Sequence, residues 1–206
     1  MPRDKTENHE KIVEAAFREF LEYGFSEASM RRIAASCGMS ASGLYKHFPG
    51  KEEMFAALAE PAITGFMQLY HEIEDNYSDS IKNRKPEDDV NWSNQNETVR
   101  AMEYIYDHFD EFKLIVCKSR GTKYEDFTHA VAELEEKVTL RYLNKLRKKG
   151  IPVNEVRKNE LHLLVTSSID AVFQAVIHDF SREEAMHYAE TLQKFYVPAW
   201  KALFGF

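Results

Sequence analysis

Between Gly24 and Gly50 this chain is cut by glycine, serine and proline into helical pieces too short to stand alone. Met30, Ile33, Ala34 and Cys37 recur at i, i+3, i+4, i+7, one apolar stripe of a helix, and Ser29 stands at its N-cap position. Gly38 interrupts that stripe. Ser40 offers a second cap, and Leu44 and Phe48 are the inward residues of the next short helix. An isolated helix shorter than about 12–15 residues is marginal in water, so both pieces need a common support. The preceding segment supplies it. Over about residues 5–23, Ile12, Ala16 and Phe20 form a stripe with Val13 and Phe17, closed by Gly24, where a left-handed residue ends a helix. Two short helices joined by a tight glycine-containing turn and backed by a first helix form a helix-turn-helix.

In that motif the second helix of the pair enters the major groove of DNA. The segment SCGMSASGLYKHF, residues 36–48, is a poor piece of core, and the motif gives it a purpose: one face is a binding surface. Gly43 costs roughly 1 kcal/mol of helix stability against alanine, which is understandable where a missing side chain clears space for DNA. Ser40 and Ser42 can donate to phosphates or bases, Tyr45 and His47 reach the backbone, and Lys46 and Lys51 neutralise phosphate charge. The formal charge of the chain is −7, which alone argues against nucleic acid. The distribution reverses that reading. Between Ala28 and Lys51 there are four cations (Arg31, Arg32, Lys46, Lys51) and no acid, leaving 23 cations against 34 acids elsewhere.

The rest of the chain also reads as helical, with few glycines and prolines. A fourth helix opens at FPGKEEMF, with Glu52 and Glu53 in its first turn, and runs toward about Tyr77 with a bend expected at Pro61. The polar stretch from Ser78 to Glu97 reads as a loop. Helical patterning resumes near Asn96 (Ala101, Met102, Ile105, Phe109, Phe112), pauses at KSRGTKY, and returns from Tyr124 to Lys149. KKGIPVN is a break. Two helices follow, about Asn154–Phe180, apolar on nearly every side, and about Arg182–Leu203. Their apolar surface exceeds what one small body can cover, and Ser167, Ser168, Ala171 and Ala175 allow close approach, so a four-helix dimer interface is expected there. The charged start carries no secretory signal, no apolar run approaches the roughly 18 residues that cross a membrane, and the cysteines Cys37 and Cys117 make no disulfide framework; the expected location is cytoplasmic. Both cysteines are expected as small buried hydrophobes.

The quoted residues carry a resemblance. F……GF…ASMRRIAASCGMSASGLYKHFPGKEEMF resembles the N-terminal DNA-binding domain of the TetR family of bacterial transcriptional regulators, over about the first 55 residues. The resemblance implies an all-α, nine-helix, two-domain dimer: a DNA-binding domain at 1–50 and a variable effector-binding and dimerisation body at 51–206. Position by position it implies that Arg31 contacts DNA and that Ala41, Ser42 and Gly43 open the groove-facing helix. It further implies that Tyr45, Lys46 and His47 touch backbone or neighbouring bases, and that Lys51 grips a phosphate. Ala41 stands where the family often has a longer polar side chain. Arg31, Ser42 and Lys46 then carry most of any base readout, with Ala41 available to a thymine methyl.

Pockets between helices are apolar with a few polar groups. The aromatic residues Tyr104, Phe112, Phe127 and Phe173 are core residues by default, with a subset available to wall a pocket, and His108, His162, Thr166 and Asp170 are polar residues inside apolar helices. An unpaired buried polar group costs about 1–3 kcal/mol, so each needs a partner, a water or a ligand. For Asp170 a partner across helices or across a dimer ranks before a ligand. The histidines show no i, i+4 pair and no cysteine at ligand spacing, so no metal and no cofactor is expected. The expected function is a repressor of transcription whose hold on a double-stranded operator is lowered by a small-molecule effector through a population shift; repression rather than activation rests on family analogy. Three alternatives stay open: a structural helical hairpin, an enzyme, although no catalytic constellation or phosphate loop is legible, and a helical adaptor that binds only protein.

Overall fold

A computed structural model describes residues 5–82 and 97–205. Among the described residues there are nine α-helices and no strand. They are α1 (Lys5–Glu27), α2 (Met30–Ser36), α3 (Ala41–Leu44), α4 (Lys51–Lys82), α5 (Glu97–Asp107), α6 (Phe109–Cys117), α7 (Phe127–Lys148), α8 (Lys158–Ile177) and α9 (Arg182–Phe204). The chain forms two compact units, the first from residues 1–65 and 108–126, the second from 66–107 and 127–206.

In the first unit the regular part of α1 ends at Gly24 (φ 70°, ψ 167°), as its position past the last apolar turn predicts. The Phe25 amide then donates to the Lys118 carbonyl at 2.8 Å, tying this end to the segment after α6. Phe20, Phe25 and Phe55 meet ring to ring, with centroids 5.2–6.1 Å apart, and Tyr124 lies 5.9 Å from Phe55. Aromatic pairs at such distances add to the area they bury. α4 carries Pro61 within it and continues without interruption to Lys82, beyond the expected end near Tyr77. Pro61 is exposed. Residues 78–82 and Glu97 of the expected loop are therefore helical, and the stretch between them, 83–96, lies outside the described residues. The single helix expected from Asn96 is two: His108 (φ −127°, ψ 39°) separates α5 from α6.

In the second unit α7 packs on α8, and α9 on both α5 and α8. One core joins Tyr142, Leu143 and Leu146 of α7 to Leu161 and Val165 of α8 and Phe204 of α9; a second gathers Met102, Ala175, Ala185 and Ala189. The small residues of the second core let three helices approach closely. Asp179 (φ 54°) closes α8, with the Phe180 amide reaching back to Ala175 O at 3.0 Å and Asp179 N–H to Val176 O at 3.4 Å. α9 opens on a reciprocal capping box, Ser181 Oγ accepting from Glu184 N–H and Glu184 Oε2 accepting from Ser181 N–H at 2.7 Å. By length and composition alone α8 is apolar enough to cross a membrane, contrary to the expectation that no segment would be. Leu161, Val165, Phe173, Ala175 and Val176 bury one side of it, whereas Leu163, Leu164, Ser167, Asp170 and Ile177 are exposed.

Candidate nucleic-acid interface and ligand cavity

α2 buries Met30, Ile33 and Ala34. It stops in a left-handed turn: Gly38 (φ 66°) donates to Ala35 O at 3.0 Å, and Met39 N–H reaches Ala34 O at 3.0 Å. A Cβ on Gly38 would meet nothing within 4 Å, so backbone conformation rather than space calls for glycine here. The chain then re-enters a helix at once. Ser40 is extended, and its Oγ accepts from Gly43 N–H at 3.1 Å, the cap expected of it. α3 has only four residues, but the turns from Tyr45 to Phe48 keep donating backward, Tyr45 N–H to Ala41 O at 3.0 Å and Phe48 N–H to Leu44 O at 3.0 Å. Leu44 (0 % exposed) and Phe48 (7 %) therefore anchor the inner side. Arg31, Ser40, Ser42, Tyr45, Lys46 and His47 are exposed, while Ala41 and Gly43 are half-exposed.

Two expectations about this surface change in the fold. The acid-free window is not free of acid in space. Glu19 of α1 is buried, accepts Ser29 N–H at 2.7 Å and takes Arg32 Nε at 2.8 Å, while the Arg32 guanidinium lies 4.3 Å over the Tyr23 ring. The Glu19 carboxylate pushes the Arg32 guanidinium pKa up. Arg32 is thereby a strut between α1 and α2, and Ser29 holds the N-cap place through its amide rather than its hydroxyl. Lys51 is also engaged: its Nζ donates to Ser26 O at 3.1 Å and Ala28 O at 3.3 Å, 4.5 Å above the Phe25 ring. Gly43 has a local duty as well, since a Cβ there would press on Ser40 Oγ at 3.3 Å. Cys37 is half-buried, with Sγ 3.5 Å from Lys11 O, and burial pushes its thiol up; Cys117 is exposed, against the expectation of a buried hydrophobe.

A cavity of about 180 Å³ lies within the second unit, between α4, α5, α7, α8 and α9. Of the residues expected to line a ligand site, Phe173 does so. Tyr104 and Phe127 stand behind the lining, with ring centroids 6.1 and 6.3 Å from that of Phe66, which lines it. His162 finds a protein partner instead: its Nδ1 is 2.9 Å from Glu136 Oε2 across α7 and α8. Thr166 lies outside the lining with its Oγ1 buried and without a hydrogen bond among the described residues. Asp170 is exposed, because its turn of α8 faces away from the core. His108 and Phe112 belong to the first unit, Phe112 fully buried in its core. The residues that do make the cavity polar went unnoticed in the sequence. Glu135 falls four residues after Val131 and three before Val138, squarely on the apolar stripe of α7, and that spacing was the available signal. Among the described residues no three His, Cys, Asp or Glu side chains converge as a metal site would require.

A capped short helix, presented outward after a left-handed glycine turn and backed by a buried three-helix core, defines a helix-turn-helix protein. The model of the bacterial regulatory proteins, tetR family, matches residues 12–58. An HTH-type transcriptional regulator of Staphylococcus aureus (strain bovine RF122 / ET3-1) is 32% identical over 77 residues, 37% of this chain and 42% of that protein. The chain thus spans less than half the length of the curated relatives it matches. The fold as a whole is similar to that of MexZ, a repressor from Pseudomonas aeruginosa (TM-score 0.54, 14% identity, 92% of this chain and 94% of that one). It is also similar to that of FadR from Bacillus subtilis in complex with stearoyl-CoA (TM-score 0.50, 11% identity, 90% and 96%). Over residues 12–58, then, the chain is similar to the tetR family of bacterial regulatory proteins.

Proposed function

We propose that this protein is a homodimeric, cytoplasmic transcriptional regulator that binds a double-stranded operator and acts as a repressor, released when a small molecule occupies the cavity. The observation that carries the reading is the outward row Arg31, Ser42, Tyr45, Lys46 and His47 on a helix pair whose opposite side is buried. Arg31 and Lys46 supply phosphate-neutralising charge, Ser42 and Ala41 face base edges, and Lys51, with two of its three protons on carbonyls, keeps one for a phosphate. The DNA-binding part is assigned to residues 1–50 and the ligand-binding and dimerising part to 51–206.

Geometry supports dimerisation. One α3 makes few contacts, whereas two copies about 34–36 Å apart reach successive major grooves on one face of DNA. Leu163 of α8 and Phe195 of α9 are each 69% exposed, and Leu164 and Ile177 of α8 are exposed as well, apolar surface that a second copy would cover. Repression is the family analogy, consistent with the description of MexZ as a repressor. TetR-family regulators are not enzymes, which weighs against a catalytic reading.

Fluorescence anisotropy with the chain's own upstream DNA tests the assignment. Lys46→Ala should weaken binding to all sequences and lower the slope of log K against log salt by about 0.9. Ser42→Asp should abolish binding and leave the dimer intact, and Phe195→Asp should yield monomers by sedimentation. Operator affinity retained by Ser42→Asp would rule out α3 as the reading helix.

A further inference from the structure

The cavity of the second unit has a lopsided charge. Its lining is largely aromatic and aliphatic, Phe66, Phe173, Tyr196 and Trp200 among it, yet three carboxylates, Glu74, Glu97 and Glu135, reach it and, among the described residues, no lysine, arginine or histidine does. Glu74 is held by Arg141, with Nε at 2.9 Å and Nη2 at 2.7 Å from the same oxygen. Glu135 is held by neutral groups. The Tyr70 hydroxyl donates to one of its oxygens and the Thr139 hydroxyl to the other at 3.0 Å. Two O–H donors fix the carboxylate in place and favour its ionised form, but they bring no positive charge. Burial works the other way and pushes this carboxyl up, with the negative charge of Glu74 adding to it. Burial favours the neutral carboxyl of Glu135, a cation brought beside it would favour the ionised form, and a carboxylate keeps lone pairs beyond the two already used.

Resting on the effector reading above, we propose that the cavity is built for a lipophilic organic cation, its positive head at Glu135 and its apolar body among the aromatic side chains. Aromatic faces attract the same ligand class, because their quadrupole favours a nearby positive charge. An anionic amphiphile of equal size would set its charge against three glutamates, with no cation among the described lining residues to receive it.

The test uses three ligands with one body and different heads: 4-phenylbutylammonium, 4-phenylbutan-1-ol and 4-phenylbutanoate. Trp200 lines the cavity and Trp92 is the other tryptophan of the chain, so a Trp92→Phe background leaves Trp200 as the reporter of a fluorescence titration at pH 7. The cation should bind about tenfold or more tighter than the alcohol, and the anion weakest of the three. Glu135→Gln should bring the cation to within about threefold of the alcohol, while alcohol binding within about twofold of the parent's reports that the cavity is intact. Equal or tighter binding of the alcohol or the anion, no detectable binding of the cation, or an undiminished cation affinity in Glu135→Gln overturns the proposal. Operator release is measured separately. A cation that binds at Trp200 without releasing DNA leaves the ligand class standing and removes the effector role. Release by alcohol or anion with no preference for the cation does the reverse.

Discussion

Replacing Gly43 by alanine sets two local effects of similar size against each other. Alanine is favoured over glycine in a helix by about 0.5–1 kcal/mol. Its Cβ, however, would sit 3.3 Å from Ser40 Oγ, the oxygen that accepts Gly43's own N–H, and 3.9 Å from Met39 Cε. That oxygen must shift, and losing a serine cap costs about 1 kcal/mol. Gly43→Ala in the native background should therefore change stability by no more than about 0.5 kcal/mol. With Ser40→Ala already present there is no oxygen to displace, and the same substitution should stabilise by about 0.5–1 kcal/mol. The coupling between the two sites is then about 1 kcal/mol. Urea unfolding of the four proteins, followed by far-ultraviolet circular dichroism and compared at constant m, measures it. Additivity within about 0.3 kcal/mol would refute the conflict between cap and Cβ. Operator binding of Gly43→Ala in the same preparations then isolates clearance for DNA from the local duty.

The remaining predictions concern anchoring. Lys51→Ala removes two charged hydrogen bonds to carbonyls and a cation above the Phe25 ring, and should lower stability by about 1.5–3 kcal/mol as well as flattening the salt dependence of DNA binding; an unchanged unfolding midpoint removes its structural role. At the start of α9, hydrogen bonds from Ser181 hold the Glu184 carboxyl below its usual 4.5. The native state binds fewer protons there than the unfolded state, so this contribution is complete above about pH 4.5 and is lost as pH falls through the lower folded value. The Tm gap between the native protein and Glu184→Gln should accordingly narrow on acidification, and a gap independent of pH from neutrality to strong acid contradicts the capping role.

Much of the helix-turn-helix unit was legible because its signals are local. The stripe Met30, Ile33, Ala34, the left-handed Gly38, the Ser40 cap and the inward Leu44 and Phe48 act within a turn or two of the residues they organise. The body was harder to read for the opposite reason. Of its polar residues expected to need partners, His162 has one, Asp170 is solvent-exposed and Thr166 Oγ1 has none among the described residues, because a one-dimensional pattern says neither which residues meet nor which stay at the surface. His162 took Glu136 from another helix, Asp170 took the solvent side of its own, and the cavity drew its charge from Glu135.

By itself, then, the order of the residues determined most of the helices, though not the end of α4 or the break between α5 and α6, since capping, glycine turns and i, i+4 stripes depend on neighbours along the chain. Only the tertiary structure decided how charge is shared. It brought Glu19 onto Arg32, thirteen residues away, and so tied one cation of the four-cation window into an ion pair, turned Lys51 onto backbone carbonyls and left Arg31 and Lys46 on the surface. It also closed an aromatic cavity around Glu135. Electrostatic energy depends on distance and burial in space, and neither is written in a residue's place along the sequence.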